Sequence, residues 1–177
     1  SDLVNNTVKD PYIFEFISLN NNYKEQELEN NMVSKIKDVL LELGKGFSFV
    51  GNQYKISVNN QDFYIDLLFY HLELRCYIVV ELKAGEFKPE YVGQIGFYVT
   101  AVDKLLKKEY DNPTIGLLLC REKNRVTVDW SLQSANVPIG VSTYKLNNQL
   151  PKNILDKLPT EEEINLHIVM ESSDENE

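Results

Sequence analysis

The segment YIDLLFYHLELRCYIVVELKAGEF, residues 64–87, has the pattern of two apolar strands joined by a turn. Three charged residues, Asp66, Glu81 and Lys83, interrupt these apolar runs. A charged side chain inside a hydrophobic strand loses solvation free energy unless another group pairs with it. We therefore predict that these three residues interact with one another or with a ligand.

Residues 24–43 and 47–58 extend the pattern toward the N-terminus. Residues 24–43 carry apolar side chains at helical spacing, and Gly44 follows them as a stop signal. Residues 47–58 alternate as a strand does, and NNQD, residues 59–62, predicts a turn. Together with the opening segment, this predicts a helix followed by a meander of three strands.

The C-terminal half predicts one more helix and further strands. A helix is expected from Pro89 to about Tyr110, and buried strands are expected at 114–120 and 137–146. Residues 121–136 fit a strand or a helix equally well. The predicted order is α-β-β-β-α-β, an α/β fold with a central mixed sheet flanked by helices.

Length and composition agree with one folded unit. The chain has 177 residues, of which 43% are hydrophobic. No apolar run approaches the roughly 18 residues of a membrane helix. The net charge of −9 argues against indiscriminate binding to phosphate backbones. Zinc is not expected, because its usual ligands are limited to Cys76, Cys120, His71 and His167. The two cysteines lie in apolar runs, which favours a reducing, cytoplasmic setting.

The register of the hairpin decides whether the three charges meet. Successive strand residues point to opposite faces, so Glu81 and Lys83 share a face. Asp66 joins them if it lies opposite Glu81, or diagonally from it with Tyr64 opposite Glu81. If Asp66 lies opposite Val80, it points to the other face. Two close carboxylates favour a hard cation such as Mg²⁺, and a nearby lysine suits phosphodiester cleavage.

These residues resemble a known group of enzymes. Asp66, a short hairpin and then Glu81-Leu82-Lys83 are similar to the motif of the PD-(D/E)xK nuclease superfamily, with its restriction-endonuclease-like fold. More closely, residues 40–58, 62–94 and 115–120 resemble the C-terminal nuclease domain of bacterial YhcG-type proteins. This resemblance extends from about residue 9 to residue 158.

The resemblance implies a nuclease, a hydrolase of phosphodiester bonds in nucleic acid, with DNA expected as the substrate. It implies Mg²⁺ as the cofactor, replaceable by Mn²⁺, with Asp66 and Glu81 as metal ligands. Lys83 is then expected to orient the attacking water or to stabilise charge on the phosphoryl group.

The superfamily also places a glutamate on the first helix, and related members carry a Gln-x-x-x-Tyr pattern. Among the glutamates of residues 24–43, Glu29 lies nearest to the apolar face without fraying, and Glu25 is the reserve. Gln94 and Tyr98, four residues apart, match the second pattern and are expected to contact the site or the nucleic acid.

We expect residues 1–23 to form a lead-in, 24–158 the nuclease domain, and 159–177 an extension with an acidic, disordered tail. The family resemblance implies an upstream helical domain, and homo-oligomerisation stays open. The main alternative is a non-catalytic nucleic-acid-binding or assembly module on the same scaffold, followed by a protein-binding module. The sequence leaves open DNA or RNA, substrate structure, and exo- or endonucleolytic cleavage.

Overall fold

A six-stranded mixed sheet in the order β1-β6-β5-β4-β3-β2 forms the centre of the computed structural model, which describes residues 6–147. The strands are β1 Tyr12–Phe14, β2 Phe47–Val58, β3 Gln61–His71, β4 Cys76–Leu82, β5 Ile115–Cys120 and β6 Ile139–Leu146. The helices are α1 Glu25–Ser34, α2 Ile36–Leu43, α3 Glu90–Leu105 and α4 Arg125–Gln133. Within the described residues, no helix is both long enough and apolar enough to span a bilayer.

Strands β2, β3 and β4 form the predicted antiparallel meander. Asn59 and Asn60 connect β2 to β3, with φ of 50° and 63°. Two consecutive residues with positive φ make a tight hairpin turn whose twist matches the flanking strands, and asparagine tolerates this conformation. The turn predicted from the NNQD sequence is therefore confirmed, and β3 begins immediately after it at Gln61.

The second half of the sheet is parallel, since β4 pairs with β5 and β5 pairs with β6 in the same direction. Helices α3 and α4 make the crossovers that parallel strands require. Every residue of β5 is buried, which explains its uninterrupted apolar sequence. Residues 121–136, which the sequence left ambiguous, contain helix α4, and the Asn124 side chain caps it by accepting a hydrogen bond from the Thr127 N–H at 3.1 Å.

Two features of the N-terminal part differ from expectation. The single helix expected over residues 24–43 is two helices, because Lys35 leaves helical geometry at φ −118° and ψ 36°. The lead-in expected over residues 1–23 also contributes to the sheet, since β1 pairs in parallel with β6 and its Tyr12 and Phe14 are fully buried. A three-residue strand is too short for an alternation pattern to reveal it.

Each face of the sheet has its own apolar core. Helices α1 and α2 cover one face together with the aromatic residues of β1, whereas α3 and α4 cover the other. The expected α-β-β-β-α-β arrangement is thus confirmed, the strand expected at 137–146 is β6, and β1 is the unexpected strand at that edge. The extension expected over residues 159–177 lies outside the described residues.

Candidate active site

The β3–β4 hairpin has one of the two registers that the chemistry requires. Its pairs run from His71 opposite Cys76 to Leu67 opposite Val80, and the next step of this ladder places Asp66 opposite Glu81. The backbone N–H of Asp66 donates to Glu81 Oε1 at 3.1 Å, and the N–H of Leu82 donates to Asp66 Oδ2 at 2.8 Å. The predicted approach of the two carboxylates is confirmed, and each is oriented by the backbone of the opposite strand.

Strand β3 changes its packing at Asp66. Leu67 and Phe69 pack on the α1/α2 face, whereas Phe63 and Ile65 pack on the α3/α4 face. In a regular strand these four odd-numbered residues would share one face. The reversal lets the Asp66 carboxylate approach groups from both sides of the sheet.

Glu29 of α1 lies beside this reversal. Its side chain is buried, with the residue only 2% exposed, and its carboxylate accepts from Asn52 Nδ2 at 3.2 Å and from Gln53 Nε2 at 2.6 Å. Gln53 Nε2 also donates to Asp66 Oδ1 at 3.2 Å. Glu25, the reserve candidate, instead accepts from the Ala84 N–H at 3.3 Å, beyond the end of β4.

Lys83 points toward helix α3. Its ammonium lies 4.4 Å from the centre of the Tyr91 ring and donates to Gln94 Oε1 at 3.3 Å. Gln94 Nε2 in turn contacts the Tyr98 hydroxyl at 3.5 Å. Both residues of the Gln-x-x-x-Tyr pattern are therefore connected to Lys83, although their role toward a substrate stays a prediction.

The backbone of Lys83 is held by groups that sequence reasoning missed. Its N–H donates to the Leu119 carbonyl at 2.8 Å, and its carbonyl accepts from the Tyr144 hydroxyl at 2.7 Å. The Tyr23 hydroxyl lies 2.6 Å from that of Tyr144, and the Arg121 guanidinium lies over the Tyr23 ring. No spacing rule connects residues so far apart in sequence, so the pattern contains no signal for this support.

Burial dominates the electrostatics of the two glutamates. Burial, with the neighbouring Asp66 charge and an Asp66 side-chain hydrogen bond, raises the pKa of Glu81 from 4.5 to about 9, against the opposing effect of Lys83. Burial also raises the pKa of Glu29, although hydrogen bonds from Gln53 and Asn52 counteract it. Without a cation, Glu81 therefore keeps a proton at neutral pH.

The donor set fits a hard divalent cation. Among residues 6–147, no group of three or more His, Cys, Asp or Glu residues is arranged to hold a metal ion. The carboxylates of Asp66 and Glu81 nevertheless lie together, and Mg²⁺ commonly takes one or two carboxylates and fills its other positions with water and phosphate. A cation there would replace the proton that Glu81 retains.

A carboxylate pair on adjacent strands, with a lysine two residues beyond the second carboxylate and the described α-β-β-β-α-β core around it, defines a PDDEXK-type nuclease domain. The chain belongs to the YhcG PDDEXK nuclease domain family, whose model matches residues 5–159. It is 34% identical over 151 residues to the Escherichia coli (strain K12) protein named "Putative nuclease YhcG". That alignment covers 85% of this chain and 40% of the relative.

Two solved structures are also similar to this chain. A repair endonuclease from Pyrococcus abyssi aligns with a TM-score of 0.47 at 16% identity, over 73% of this chain and 49% of that one. A complex described as EndoMS-dsDNA2 aligns with a TM-score of 0.48 at 16% identity, over 77% of this chain and 49% of that one.

Proposed function

We propose that this domain hydrolyses phosphodiester bonds of DNA with Mg²⁺ as cofactor. The observation that carries the proposal is the direct contact between Asp66 and Glu81 on paired strands, with Lys83 following Glu81 on the same face. This acidic pair is unfavourable for folding, since Glu81 is only 3% exposed and Asp66 beside it is half-buried. Cation binding explains why two carboxylates lie together here, whereas core packing does not.

The proposed division of roles follows from the side-chain positions. Asp66 and Glu81 would hold the cation, which would supply Lewis-acid polarisation of the phosphoryl group and of the attacking water. Lys83, which follows the end of β4, donates from its ammonium to the attacking water or to a phosphoryl oxygen. Gln94 holds the ammonium of Lys83, and Tyr98 steadies Gln94. Glu29 adds a further carboxylate next to Asp66.

The choice of DNA and of Mg²⁺ comes from the family resemblance. Although the net charge is −9, two basic residues near the site can attract a phosphate backbone. The N–H of Arg121 donates to the Gly85 carbonyl at 3.0 Å, so Arg121 and Lys83 both lie at the end of β4. Because the chain spans 40% of the length of its E. coli relative, parts of a longer protein can also contribute to substrate binding.

A cleavage panel tests the proposal. The domain is incubated with linear, nicked, branched and single-stranded DNA and with RNA, in Mg²⁺, Mn²⁺ or EDTA. We expect cleavage of at least one DNA with either metal and none in EDTA. Lys83→Ala is expected to lower the rate about 10²- to 10³-fold, as loss of a transition-state donor does. Lys104→Ala, which removes an exposed lysine from the far end of α3, is the matched control and should cleave normally.

The alternative outcome is informative as well. If the domain and a longer form that includes its upstream region both bind DNA without cutting it, the chain is a binding module on a nuclease scaffold. If Lys83→Ala cleaves at the wild-type rate, the activity arises elsewhere and the assigned site is wrong.

A further inference from the structure

Gln53 has an unusual backbone conformation for the middle of a long strand. Its φ is +42°, a left-handed value that disfavours residues with side chains, and it lies within the twelve-residue strand β2. The β2–β3 pairing passes from Asn52 opposite Leu67 directly to Tyr54 opposite Ile65. Gln53, with its left-handed backbone, therefore lies opposite Asp66, the residue at which the packing of β3 reverses.

The side chain of Gln53 joins two carboxylates from different elements. Its amide nitrogen contacts Glu29 Oε2 at 2.6 Å and Asp66 Oδ1 at 3.2 Å. An amide NH₂ group has two hydrogens, so it can donate to both acceptors at once. Between two carboxylates of like charge, a neutral double donor reduces the need for either to take up a proton or turn away.

We propose that Gln53 is a positioning residue that holds the Glu29 carboxylate beside Asp66, so that the negative charge of Glu29 strengthens cation binding by Asp66 and Glu81. This inference rests on the proposed function. Glycine would relieve the backbone at this position but would provide no donor. Asparagine tolerates positive φ, but its shorter side chain cannot reach both carboxylates. The strained glutamine is therefore the residue that meets both requirements.

The first test measures Mn²⁺ binding to the 177-residue chain by calorimetry or electron paramagnetic resonance, alongside thermal unfolding in EDTA. For Gln53→Gly we expect an equal or higher melting temperature, because the strain is removed, with cation affinity lower by about 10- to 100-fold. Gln53→Asn should lose affinity similarly. Asn60→Gly is the matched control, since Asn60 also has positive φ, at 63°, but lies in the hairpin turn.

A double-mutant cycle separates positioning from general structure. If Gln53 acts through Glu29, Gln53→Gly should change cation affinity little in a Glu29→Gln background. Equal loss in both backgrounds would overturn the inference, and so would wild-type affinity in Gln53→Gly or Gln53→Asn. If the variants give either of these results and the wild-type chain cleaves DNA, the proposed function stands and the positioning role of Gln53 is refuted. A wild-type chain that neither binds Mn²⁺ nor cleaves refutes both.

Discussion

Replacing Glu81 with glutamine should stabilise the metal-free protein increasingly as the pH rises. The folded state holds the Glu81 proton with a pKa of about 9, compared with 4.5 for an ordinary glutamic acid. Between these values the folded state binds the proton that the unfolded state has released. The free energy of unfolding of the wild type therefore falls as pH rises through this range.

The magnitude comes from the width of the pH interval. Three pH units at 1.36 kcal/mol per unit give about 4 kcal/mol of lost stability between roughly pH 5 and pH 8. The amide introduced by Glu81→Gln has no proton to lose in this range, so this loss should disappear. The same amide can also donate to Asp66, which preserves the contact between the two strands.

Urea unfolding in EDTA, at pH values from about 5 to 8, measures the effect. Wild type and Glu73→Gln, which removes an exposed carboxylate from the turn of the same hairpin, should show the same pH slope. Glu81→Gln should show a shallower slope and should lose cleavage activity, the usual exchange between stability and function. Parallel slopes for all three proteins would refute a strongly raised Glu81 pKa.

Four further substitutions test the scaffold by urea unfolding. Gly46→Ala should destabilise the fold by about 2 kcal/mol, because φ is +96° and the new Cβ would lie 2.5 Å from the His71 ring. Gly93→Ala in α3 has open space for the new Cβ and should stabilise the fold by up to about 1 kcal/mol. If Gly46→Ala leaves the free energy of unfolding unchanged, the backbone before β2 adjusts freely to the new side chain. Tyr144→Phe should cost about 1 to 2 kcal/mol by leaving the partly buried Lys83 carbonyl without its donor, and a neutral result would mean that water replaces the hydroxyl. Asn124→Ala should cost about 1 kcal/mol through loss of the α4 cap, and no loss would make the cap irrelevant to stability.

Local patterns were sufficient for much of the fold and for selecting Asp66, Glu81 and Lys83 as candidate site residues. Alternation in residues 47–58 and two apolar runs in residues 64–82 predicted the meander, since a half-buried strand has a side-chain period of two and a buried strand is apolar throughout. The same period placed Glu81 and Lys83 on one face, but it left open whether the hairpin register brings Asp66 to that face. The position of Glu29 near the apolar stripe of its helix agreed with its burial, because a helical face is set by sequence spacing.

Long-range packing decided the rest. The break at Lys35, the short strand β1 and the hydroxyl of Tyr144 on the Lys83 carbonyl depend on segments that are distant in sequence and meet only in the folded chain. The left-handed backbone of Gln53 is unfavourable within a strand, and the surrounding structure must compensate for its cost in free energy. The sequence by itself determined which residues could share a face. Only the tertiary structure decided which carboxylates meet, because that depends on contacts between helix and sheet that no local periodicity encodes.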